Sequence, residues 1–164
     1  MIFVMRIGEI AILGSSNEEK RLFIQSVCQK LEITNDNITF GRFPINDQLM
    51  LHLYGVALPS DSQTMAWDLL AKKCLGYIVL FSWQDGASFE RMQPVLDQLA
   101  AHYEATLIVA AHVANGKLPI PPELYENGIA LTTAGKFMFC DVRQPASARK
   151  ILLALIESVL EKMS

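Results

Sequence analysis

The sequence predicts an α/β fold: a mostly parallel, six-stranded sheet with helices on both faces and one antiparallel edge hairpin. Three observations carry this. Apolar runs of strand length alternate with segments of helical period along the chain. The runs Leu75–Phe81 and Leu107–Ala111 are almost continuously apolar, as strands buried on both faces are. Two alternating segments flank Asn46-Asp47, the pattern of a hairpin.

The elements follow in order. Phe3 to Leu13 is apolar enough for a buried strand, and Gly14-Ser15-Ser16-Asn17 ends it. Glu18 to Leu31 reads as a helix, with Leu22, Phe23, Val27, Cys28 and Leu31 at helical spacing and two acids in the first turn, where the dipole favours negative charge. Asn35-Asp36 breaks the chain. Ile38–Ile45 and Gln48–Tyr54 form the hairpin, whose Leu49, Leu51 and Leu53 alternate with Met50, His52 and Tyr54, so that one side is buried and the other half-exposed. Gly55–Ser62 is a loop and Ser62–Cys74 a helix. Leu75–Ser82 is a strand, Ser88–Tyr103 a helix and Ala105–Val113 a strand. Asn115–Pro122 is a Pro-rich loop, Pro122–Asn127 a short helix, and Lys136–Asp141 the last strand. Ala146–Met163 is a helix with Ile151, Leu152, Leu155, Ile156, Val159 and Leu160 on one stripe.

Composition narrows the function. The 164 residues suit one domain spanning 1–164, and no linker or internal repeat divides them. Hydrophobic residues make up 51% and charged residues 19%, which excludes intrinsic disorder. A formal net charge of −3 with no basic cluster argues against nucleic acid as the main partner. Arg6 and Glu9 interrupt the apolar start before a signal-peptide core forms, and no run reaches a membrane span of about 18 residues. Cys28, Cys74 and Cys140 are odd in number and widely spaced, so they read as reduced, buried thiols. The expected compartment is the cytoplasm.

Ligands of open α/β sheets bind at the carboxyl ends of strands, so the loop after the first strand is the first place to look. There the P-loop pattern G-x-x-x-x-G-K-[ST] meets Gly14-Ser15-Ser16-Asn17-Glu18-Glu19-Lys20-Arg21. Gly14 and Lys20 fall in place; Glu19 stands for the second glycine and Arg21 for the hydroxyl residue.

Further stretches carry a resemblance: Phe40-Gly41-Arg42, Leu49–Gly55, Trp67-Asp68-Leu69-Leu70-Ala71 with Leu75-Gly76, Ser88-Phe89, and Cys140-Asp141-Val142-Arg143. With their order and spacing, the chain resembles the bacterial Ras-like small GTPases of the gliding-motility and polarity (MglA-like) family over roughly Arg6 to Lys162. The resemblance implies a three-layer P-loop NTPase fold, GTP or GDP with magnesium as ligands, and regulators of the Roadblock/LC7 type as partners. The matching positions are mainly scaffold.

Every nucleotide motif departs from that family. Arg21 cannot ligate a cation, and Glu19 would set a carboxylate beside a polyphosphate. Like charges ~4 Å apart at an effective dielectric of ~20 repel by about 4 kcal/mol. The family's G-T-P-G-Q becomes Gly55-Val56-Ala57-Leu58-Pro59, and proline has neither an N–H nor an amide with which to orient a water. The first switch shrinks to Glu32–Asn37, with Thr34 and Asn35 nearest the position of the magnesium-contacting threonine. The guanine-reading N-[KQ]-x-D aligns with His112-Val113-Ala114-Asn115, and Asn115 lacks the carboxylate that accepts from two ring donors.

Plainer readings stand beside these. Glu18 to Arg21 also reads as a solvated helix start; His52, His102 and His112 are scattered without a metal-ligand spacing; Ser15-Ser16 has no G-x-S-x-G elbow. Trp67, Phe89, Met92 and Leu96 read as core, while Trp83, just past a strand end, suits a contact.

The expected function is a pseudo-GTPase without catalytic residues, metal or cofactor. It would act as a protein-interaction module in bacterial polarity, motility or signalling, with Tyr54, Leu58, Pro59 and Trp83 facing a partner. The alternative is an unorthodox, weakly hydrolysing GTP switch using Gly14, Ser15, Ser16, Asn17, Lys20, Arg21 and Asn115. Glu19 and Arg21 together could also mimic a bound phosphate and cation; an outward-pointing Arg21 would remove that idea.

Overall fold

The computed structural model describes residues 6–28, 30–33, 39–56, 74–102, 106–113, 129–130 and 135–163. The strands are β1 (Arg6–Gly14), β2 (Leu31–Ile33), β3 (Thr39–Pro44), β4 (Leu49–Val56), β5 (Gly76–Ser82), β6 (Thr106–His112), β7 (Ile129–Ala130) and β8 (Gly135–Cys140). The helices are α1 (Asn17–Val27), α2 (Gly86–His102) and α3 (Pro145–Met163).

One sheet runs in the order β2-β3-β4-β1-β5-β6-β8-β7. Its middle, β4-β1-β5-β6-β8, is parallel throughout. The β3–β4 hairpin is antiparallel, as the sequence predicts. Its turn is held by Asn46, whose Oδ1 accepts the N–H groups of Gln48 and Leu49 at 2.7 and 2.9 Å.

The sheet is larger than the six strands predicted. β2 pairs antiparallel with β3, and β7 with β8. The first addition has a local cause. α1 stops at Val27 because Cys28 takes extended backbone (φ −110°, ψ 142°), four residues short of the predicted end. Leu31–Ile33, read partly as helix and partly as a switch link, is thereby released to pair at the sheet edge. β7 is too short to leave a periodic signal. The predicted helices over 62–74 and 122–127 lie outside the described residues, or nearly so.

Two apolar layers sandwich the sheet. On one face Ile10, Ile12, Leu51, Leu53, Ile78, Leu80 and Ile108 meet Phe23, Ile24 and Val27 of α1 and Ala148, Ile151, Leu152 and Leu155 of α3. On the other, Ala11, Leu13, Tyr77, Val79, Phe81, Val109 and Ala111 meet Met92 of α2. Consecutive residues of β1 and β5 thus go to opposite layers, which is why those strands carry no polar alternation. α2 begins at Gly86, two residues before the predicted start, because Asp85 caps it by accepting the Ala87 N–H on Oδ1 at 3.1 Å. α3 opens on Pro145, whose fixed φ suits the first helical position.

Candidate functional site

The carboxyl ends of β1, β5, β6 and β8 bring together most of the polar side chains that the core otherwise excludes. Between β1 and α1 only Ser15 and Ser16 lie outside regular structure; Asn17, Glu18 and Glu19 are already helical. Ser16 is the N-cap: its Oγ accepts the Glu19 N–H at 3.1 Å, and its carbonyl accepts the Lys20 N–H at 3.2 Å. A phosphate cradle needs a loop of free amides pointing inward. In this connector the amides of Glu19 and Lys20 are taken by Ser16.

The side chains close the same space. Ser82 Oγ, at the end of β5, donates to the Glu19 carboxylate. Ser15 Oγ and Ser88 Oγ share a hydrogen bond at 3.1 Å, and Ser88 Oγ also accepts the Ser82 N–H at 3.1 Å. Ser88 is buried, so this relay stitches the β1–α1 connector to the start of α2. Glu19 therefore stands on β5, where the sequence made it a hazard to a polyphosphate.

Lys20 is the unusual member. It is 2% exposed and shares the inward stripe of α1 with Phe23, Ile24 and Val27. Its stem lies beside Gly14 and Gly55: a Cβ on Gly14 would stand 3.6 Å from Lys20 Cγ and one on Gly55 3.5 Å from Lys20 Cβ, ordinary packing distances. Burial lowers the pKa of its ammonium from 10.5 to about 8. Arg21, one residue on, is exposed. It is not among the buried residues of this stripe.

A second polar group continues the edge. His112 Nδ1, at the end of β6, accepts the Val142 N–H at 3.1 Å and lies 3.9 Å from Asp141 Oδ1. Asp141 also accepts the Arg143 N–H at 3.0 Å and has Arg143 Nε at 3.6 Å. Cys140 is buried beneath these groups; burial, then the charges of Asp141 and Glu19, push its thiol well above the usual range.

The partner-facing candidates divide. Trp83 is 42% exposed just past β5, its ring edge-on to Phe139 at 4.9 Å between centroids. Phe89, expected in the core, is 39% exposed, standing against Phe81 at 5.1 Å. Tyr54 is half-buried, with its ring 5.1 Å from Phe40 and its hydroxyl donating to Glu9 Oε1 at 3.5 Å. Burial and the Glu9 charge raise the phenol pKa. Leu58, Pro59, Trp67 and Asn115 lie outside the described residues.

The sequence brought forward Gly14, Ser15, Ser16 and Lys20, and the fold places them together. It missed Ser82, Ser88 and the His112–Asp141–Arg143 group as site members. The signal available was position: each follows or ends a strand at the same edge of the sheet. A scan against models of known protein families and a search of curated proteins each gave no match.

Proposed function

We propose that the chain is a Ras-like pseudo-GTPase whose former phosphate site is filled by its own side chains and whose role is to bind another protein. The observation that carries this is the Glu19 carboxylate on Ser82 Oγ, at a helix start where the Glu19 and Lys20 amides are already paired with Ser16. An incoming phosphate would have to displace that carboxylate and break the cap. The parallel sheet centred on β1, with α1 following it, is compatible with the P-loop class the resemblance implies. The proposed compartment is the cytoplasm; among the described residues no helix is long and apolar enough to cross a membrane.

The partner surface is the rim around Trp83 and Phe89; Leu58 and Pro59, outside the described residues, are further candidates from the sequence. A small dimeric protein of the Roadblock/LC7 type is the partner class. Titration calorimetry with GTP, GDP and ATP, with and without magnesium, tests the reading. No binding tighter than about 100 μM, a free energy near −5.5 kcal/mol, is expected. Micromolar GTP binding that Lys20→Ala abolishes would overturn it.

One observation favours the alternative, a weak nucleotide switch. Lys20 sits on the inward stripe of α1 beside Gly14, where a phosphate-reaching lysine belongs. Under that reading Glu19 swings aside on binding, and the same calorimetry separates the two.

A further inference from the structure

We infer that His112 is a proton-operated latch on the turn that leads from β8 into α3. The imidazole stands at the end of β6 between its register partners Ser82 and Cys140, and its side chain is 12% exposed. Nδ1 accepts the Val142 N–H at 3.1 Å, which puts the proton of the neutral ring on Nε2. The carbonyl of the same Val142 accepts from Ser26 Oγ of α1. One imidazole lone pair therefore holds a turn that joins β6 to α1.

The charged and titratable groups around the ring come from three elements. Asp141 and Arg143 belong to the turn and Cys140 to β8. From α1 comes Glu19, which sits on Ser82 and acts on Cys140. Two of these carry negative charge and one positive, with Asp141 the nearest acceptor at 3.9 Å.

Protonation exchanges one arrangement for another. An imidazolium donates from both nitrogens, so Nδ1 no longer accepts the Val142 N–H. The new Nδ1–H finds Asp141 Oδ1, which is engaged by Arg143 while the ring is neutral. The proton arrives from solvent and stays on Nδ1; no covalent bond changes. Asp141 and Gln144 hold the first turn of α3, through Asp141 N–H to Ser147 Oγ at 2.9 Å and Gln144 N–H to the Asp141 carbonyl at 3.0 Å. The Trp83 N–H donates to the His112 carbonyl at 2.9 Å. Acid thus loosens the turn that opens α3, whether or not the phosphate site accepts a nucleotide.

Amide hydrogen exchange followed by NMR at about pH 7.5 and about pH 5.5, corrected for intrinsic rates, tests the latch. Val142 protection is expected to fall at least ~10-fold at the lower pH. The neighbouring Val113 N–H, bound to the Cys140 carbonyl at 2.8 Å, keeps its protection. In His112→Gln the pH dependence of Val142 disappears. Constant Val142 protection in the wild type, or the same fall in His112→Gln, overturns the latch. Asp141→Asn gives an independent reading: it should lower the midpoint of the His112 Cε1 proton titration, and an unchanged midpoint overturns the proposed exchange.

Discussion

A lysine on the inward stripe of a helix is costly unless something uses it. Lys20 shares its stripe with Phe23 and Ile24, and at neutral pH the protein keeps most of its charge despite the burial that lowers its pKa to about 8. A pKa lowered by burial means that the fold disfavours the charged ammonium relative to the unfolded chain. Lys20→Met is therefore expected to raise the unfolding free energy by about 1–3 kcal/mol, measured by urea denaturation at pH 7. The pH dependence gives the sign. Between about 8 and 10.5 the unfolded chain binds the Lys20 proton more tightly than the folded one. Wild-type stability then gains from this group as pH rises through that window, and the gap to Lys20→Met narrows. A gap that widens with pH would mean that the ammonium is stabilised by its surroundings. Lys20 was legible as a P-loop position, but its burial follows from α1 turning it onto the stripe of Phe23, Ile24 and Val27, which the polar run Glu18 to Arg21 does not reveal.

At the scale of elements, α1 is docked unusually closely on the hairpin. A Cβ on Gly41 of β3 would stand 2.6 Å from Ile24 Cγ2 and 2.7 Å from Cys28 Sγ. Gly41→Ala therefore forces α1 away from β3 and should destabilise by about 1–3 kcal/mol, visible as a lowered urea midpoint with an unchanged slope. Equal stability would show that α1 has slack against the sheet. Element types were legible because strand and helix periods are distinct in long segments: β5, β6 and α3 appear within two residues of their predicted bounds. What was not legible were the pieces made by pairing alone. Leu31–Ile33 and Ile129–Ala130 are strands because β3 and β8 offer them an edge, not because their own residues demand it. The cap by Asp85, by contrast, was readable in principle, since Asp before Gly-Ala-Ser is a helix start.

For the whole molecule, the central strands serve both apolar layers at once. Ile78 and Leu80 face α1 and α3, while Tyr77, Val79 and Phe81 face α2. Damage in either layer should then be felt in one common unfolding transition. Leu155→Ala and Met92→Ala, both at fully buried sites, are each expected to cost about 2–5 kcal/mol and to shift far-ultraviolet circular dichroism and tryptophan fluorescence together. Separate transitions by the two probes would mean that the layers melt independently. The site was legible only where it touched a known pattern. Ser82, Ser88 and His112 are ordinary residues in sequence and become a group because parallel strands deliver their ends to one rim.

The position of β1 in the strand order has a bearing on synthesis. Its two neighbours are β4 and β5, both made well after it, while the nearer strands β2 and β3 join the sheet farther out. At ribosomal rates of about 5–20 residues per second, the apolar segment Ile10–Leu13 waits on the order of seconds for its first partner. During that interval the nascent chain carries its most water-averse strand with both edges open, a natural target for a chaperone that binds short extended apolar peptides. The strand that later anchors the centre of the sheet is the one most in need of an escort before the sheet exists.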